Sequence, residues 1–101
     1  MIIYSVTVAI DESIHQEWLD WMKEDHIPKV METGYFHEYR MMRVISHQNQ
    51  DQDISYNIQY ECESMAKLHQ YQVQKAPELQ KEHSDKYEGK FAAFRTLLEK
   101  V

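Results

Sequence analysis

The chain has 101 residues, is 43% hydrophobic and carries a formal net charge of −6 at pH 7, which suits one domain, 1–101, with a single core. The acidic balance argues against nucleic acid, which needs a basic face, and against an anionic membrane surface. No run nears the roughly 18 apolar residues of a membrane span, Met1-Ile2-Ile3-Tyr4 lacks the basic start of a secretory leader, and the lone Cys62 fits a reducing, cytoplasmic setting.

Residues 2–10 alternate, with Tyr4, Val6, Val8 and Ile10 on one side and Ser5, Thr7 and Ala9 on the other. Period two predicts a strand with one buried face. Ser13 with Gln16 reads as a capping box that opens a helix over 13–32. Ile14, Trp18, Trp21 and Met22 form its apolar stripe. Pro28 is expected to break or kink this helix and to push Ile27 out of the helical region. Thr33-Gly34 is a stop signal. The aromatic and branched stretch 35–47 predicts a second strand, followed by a polar hairpin loop at 48–53. Residues 54–62 alternate again, with Tyr56, Ile58 and Tyr60 against Ser55, Asn57 and Gln59. Ser64 is a cap for a second helix over 64–87, which Pro77 should disturb and Glu88-Gly89 should end. Residues 91–99 form the fourth strand.

This order predicts an α+β fold: a ferredoxin-like βαββαβ sandwich, with a four-stranded antiparallel sheet carrying two helices on one face. The first and third strands should be central and the second and fourth should be edges. The edge strands are apolar on both faces, as in Phe94 and Leu98 against Phe91, Ala93 and Leu97. Such edges invite a covering partner, so a homodimer joined through the sheets is expected.

The stretch Trp18-x-x-Trp21-x-x-x-x-His26-Ile27-Pro28, followed by Gly34-Tyr35-Phe36, resembles the first helix and second strand of dimeric α+β barrel proteins. The start Met1-Ile2-Ile3-Tyr4 and the end Phe94-Arg95-Thr96-Leu97-Leu98-Glu99 are similar to those of a short bacterial family of unknown function in that superfamily. The resemblance covers nearly the whole chain and implies no activity. The wider superfamily includes cofactor-independent monooxygenases, small-molecule isomerases and haem enzymes, so function stays open.

His26 is the first candidate for chemistry. It lies two residues before the proline, where backbone groups lose partners, and a neutral imidazole there could act as a base or bond a ligand; capping freed carbonyls is the structural alternative. Asp25 falls within the apolar stripe by helical angle, and Lys29, four residues on, is its natural partner. On a regular strand His37 shares the parity of Tyr35, Tyr39 and Arg43 and would enter the space between sheet and helices. There Tyr56 would join it, with Trp18 and Tyr39 as apolar walls, although aromatics at such spacing also serve as plain core.

No metal site is expected. No pair of the six histidines has the spacing that shares one helical face; His15 and His26 lie about 16 Å apart, and His69 and His83 about 21 Å apart, along a helix axis. Asn49, Asp51 and Asp53 mimic the start of a calcium loop, but Ile54 and Tyr60 stand where Gly and Glu are required. No nucleophile motif or phosphate loop occurs, and no cofactor is expected. The polar face Ser55, Asn57, Gln59 and Glu61 does not suit RNA. The expectation is therefore a homodimeric domain that binds a small apolar or aromatic ligand or a protein. The alternative is a cofactor-independent monooxygenase- or isomerase-like enzyme on a small aromatic or lactone-like substrate, using His26 or His37 as acid/base.

Overall fold

The computed structural model describes residues 1–46 and 53–101. The chain runs β1 (Ile2–Ile10), a 3-10 turn (Glu12–Ile14), α1 (His15–Trp21), a π segment (Met22–His26), α2 (Ile27–Glu32), β2 (Phe36–Arg43), β3 (Ile54–Cys62), α3 (Met65–Gln74), α4 (Ala76–Lys86) and β4 (Phe91–Glu99). The strands pair in the order β2-β3-β1-β4, all antiparallel, with β1 and β3 in the middle. This is the ferredoxin-like arrangement.

Registry follows the alternation in the sequence. Tyr4 lies beside Tyr60 and Leu97, and Val8 beside Tyr56 and Ala93, all on the helix-covered face. Ser5 lies beside Gln59 and Thr7 beside Asn57 on the other face. Tyr4, Val8, Ile10, Ile58, Tyr60 and Cys62 are buried with Trp18, Met22, Val30, Leu68 and Tyr71 in one core. That core is aromatic in character: Phe36 packs edge-on against Tyr71 at 4.8 Å and lies 5.1 Å from Tyr60.

Five local features test the expectations drawn from the sequence. Asp11, not a capping box at Ser13, opens the first helical layer: its carboxylate accepts from the Ser13 N–H at 2.8 Å, and α1 starts only at His15. Ile27 stays helical at φ −62°, ψ −44°, because a π turn absorbs the proline. The Ile27 N–H reaches five residues back to the Met22 carbonyl, and this wider turn spares the Glu24 carbonyl a clash with the Pro28 ring. Pro77 acts as expected: the second helical layer breaks at Lys75, and the proline sits in the first turn of α4. Ser64 caps α3 by accepting from the Lys67 N–H, and Gly34 and Gly89 take positive φ at the helix ends.

The fifth feature is in β2. The strand is shorter than the expected 35–47, running from Phe36 to Arg43, and His47 and the loop from 48 to 52 fall outside the described residues. The register with β3 shifts between Phe36 and Tyr39. Phe36 pairs with Cys62, and Tyr39 with Tyr60, so both face the helices although three positions apart. An extra residue in a bulge is what permits this. No helix among the described residues is long and apolar enough to cross a membrane.

Candidate ligand-binding site

A cavity of about 60 Å³ lies between the sheet and the helices. Its floor is sheet: Tyr4, Val6 and Val8 from β1, Ile58 and Tyr60 from β3, and Phe91, Ala93 and Arg95 from β4. Its roof comes from the π segment, α2, α3 and α4, and includes Met22, His26 and His83.

The π turn places His26 there. At about 100° per residue, a regular helix would set Asp25 about 20° from Trp18 and His26 about 80° away. The wide turn takes up one extra residue, so Trp18, Met22, His26 and Val30 follow one another at intervals of four. Asp25 is released to the rim, where it pairs with Lys29 at 3.2 Å. Lys29 also meets Glu82 at 3.1 Å and so ties α2 to α4.

His26 and His83 face each other with ring centroids 5.8 Å apart. Trp21 lies 5.2 Å from His26 and 5.8 Å from His83. Trp18 Nε1–H donates to His83 Nε2 at 2.9 Å. Because indole nitrogen only donates, Nε2 must be the accepting nitrogen and Nδ1 carries the proton. Burial pushes both imidazoles down to about 4, against an ordinary value of 6.5. Burial is the larger effect in each. The Glu82 and Asp25 carboxylates oppose it at His26, while His26 and Arg95 reinforce it at His83. Both rings are therefore neutral at pH 7. The His26 Nδ1 atom is buried without a hydrogen-bond partner among the described residues. Such an atom costs free energy unless water or a ligand meets it.

Arg95 also lines the site. Its Nε–H donates to the Tyr4 hydroxyl at 3.0 Å. The side chain is exposed on an edge strand and also lines the cavity. Burial raises the Tyr60 and Tyr71 hydroxyls above their usual range, so they stay protonated and able to donate. No group of three or more His, Cys, Asp or Glu side chains among the described residues is placed to hold a metal ion.

A family model described as "Domain of unknown function (DUF4286)" matches residues 1–101. The chain belongs to the DUF4286 family. Among curated proteins none matches it. Solved structures with the same fold include an EthD family protein from Bacillus halodurans, at 12% identity, TM-score 0.69 and full coverage of both chains. A dimeric ferredoxin-like protein from an uncultured marine organism matches at 14% identity and TM-score 0.67, covering 100% of this chain and 95% of its own. A provisionally described antibiotic biosynthesis monooxygenase from Deinococcus radiodurans matches at 10% identity and TM-score 0.67, covering 100% and 93%. Identities this low establish a shared fold and nothing about activity.

Of the residues that the sequence marks as candidates in this DUF4286 chain, His26 alone lines the cavity. His37 is exposed, because the bulge in β2 breaks the parity that would have turned it inward. Tyr56 is buried but spends its hydroxyl on His15 Nε2, at 2.7 Å, away from the cavity. Trp18 is fully buried and touches the site only through its bond to His83. Tyr39 is 43% exposed on β2, the edge opposite β4. His83 and Arg95 carry no sequence signal of their own. His83 sits on α4, far along the chain from His26, and Arg95 sits within a largely apolar strand.

Proposed function

We propose that this DUF4286 domain is a homodimer that binds a small organic molecule in the cavity beneath His26 and His83. The carrying observation is the buried, unpartnered Nδ1 of His26 in a cavity whose other walls are largely apolar. A few polar groups converging in an apolar pocket are the usual features of a small-molecule site. The dimer reading rests on the uncovered sheet face, where Phe94, Met42 and Leu98 are exposed, and on the dimeric neighbours.

A ligand oxygen placed against His26 would satisfy its Nδ1. The test is native mass spectrometry for a co-purified molecule, followed by NMR screening of small ketones, alcohols and acids against wild type and His26→Ala. Saturable shifts at cavity resonances that vanish in the folded variant are expected. Binding that His26→Ala leaves unchanged would remove His26 from the site.

The enzyme alternative is supported by the monooxygenase-like neighbour and by two histidines in one pocket. Against it, an imidazole held near 4 is a poor general base at neutral pH, where the best catalytic groups titrate close to the working pH. A neutral His26 is better suited to hydrogen bonding than to proton abstraction, and the binding reading is preferred.

A further inference from the structure

The cavity has an unexpected charge balance. The chain carries 17 acidic residues against 11 Lys and Arg. Yet no Asp or Glu lines the cavity, and Arg95 is its one charged lining residue. Arg95 forms no ion pair with any carboxylate among the described residues; its hydrogen bond there is the one from Nε to the Tyr4 hydroxyl. That bond holds the guanidinium beside Tyr4 in the cavity lining and leaves its two terminal nitrogens without a partner among the described residues. A guanidinium held this way suits bidentate pairing with a carboxylate.

Size narrows the class further. The space of about 60 Å³ is under half of the roughly 150 Å³ in which an engineered apolar cavity takes up benzene. A short chain fits inside, whereas an aromatic ring would have to stay in the mouth. Val6, Val8, Ile58 and Ala93 give the same cavity an apolar wall, and the histidine pair lines it as well.

From this geometry we infer that the site selects organic anions: a short-chain carboxylate whose carboxylate pairs with Arg95 and whose chain enters the cavity toward His26. The inference rests on the binding reading above and adds a charge and a size to it. Both histidines are neutral at pH 7, so Arg95 is the sole cation that the ligand meets. A second oxygen on the chain, as in hydroxy or oxo acids, would reach the unpartnered Nδ1 of His26.

The experiment compares butyrate with its neutral isostere butyramide, by NMR titration of the labelled full chain at pH 7 and low salt. Butyrate is expected to bind up to about tenfold more tightly, since a hydrogen bond between charged partners is roughly twice as strong as a neutral one. Arg95→Gln, with its fold checked by the same spectrum, should bring the two ligands to equal affinity. Arg95→Lys should keep part of the preference, as it keeps the charge and loses the fork. Equal binding of acid and amide by wild type would overturn the anion inference and leave the binding reading standing. A preference that persists in Arg95→Gln would overturn the role of Arg95. Cavity resonances unmoved by either ligand would overturn both readings.

Discussion

The two faces of the sheet solve the same problem differently. On the open face, polar side chains find partners within the fold. Asn57 Nδ2 donates to Ser5 Oγ at 2.8 Å and to Thr7 Oγ1 at 3.0 Å. Glu61 accepts from Arg40 Nη1 at 2.9 Å and pairs with Lys100 at 3.3 Å, which holds its carboxyl below the usual carboxylate range. On the covered face, water is scarce and hydrogen bonds are worth more, yet His26 Nδ1 has no partner there. The fold thus pairs these polar groups of the open face and leaves His26 Nδ1 inside the covered one for water or a ligand to meet.

This contrast can be broken from either side. The largest effect belongs to the covered face. Trp18 is fully buried and bonded to His83, so Trp18→Ala should cost about 3–5 kcal/mol in urea unfolding. A loss below about 1 kcal/mol would mean that the two layers are not closely packed.

The second effect is a pH dependence. Both His26 and His83 hold their folded values at about 4, below 6.5. Between those values the unfolded chain binds more protons than the folded one, so stability is fully present above about pH 6.5 and is lost as pH falls toward 4. Urea midpoints at pH 7, 5.5 and 4.5 should decline in that order, and His26→Gln should flatten the decline. An NMR titration that found both imidazoles charging near 6.5 would contradict the burial argument.

The smallest effect on stability belongs to the open face. Phe94 is 61% exposed there, so Phe94→Glu should change the unfolding free energy of one chain by no more than about 0.5 kcal/mol. If the sheets form the dimer interface, the same change should halve the mass measured by light scattering. A wild-type monomer at high micromolar concentration would remove the dimer reading.

The sheet was legible in the sequence because strand alternation is a local signal. Tyr4, Val6 and Val8 against Ser5, Thr7 and Ala9 already define which face is covered, and Ser64, Gly34 and Gly89 already mark helix ends. The site was legible only at His26, and there because Pro28 draws attention to a helix disturbed nearby. Its orientation was not, since the π turn shifts the face by one residue, and regular spacing favours Asp25. The bulge between Phe36 and Tyr39 had the same effect on His37: one extra residue inverted the expected parity. His83 and Arg95 could not be paired with His26 by spacing at all, because their proximity is created by packing between elements distant in the chain.

The π turn at Met22–His26 amounts to an insertion that the helix absorbed instead of looping out. The regularity of the helix and the chemistry of the cavity therefore pull on the same residue in opposite directions. The same residues wound as a regular α-helix would keep an unbroken hydrogen-bond ladder up to the proline and, in the same step, would swing the Asp25 carboxylate into the place of the His26 imidazole. The insertion is thus a local defect by the standards of the helix, and the cavity owes it a neutral roof.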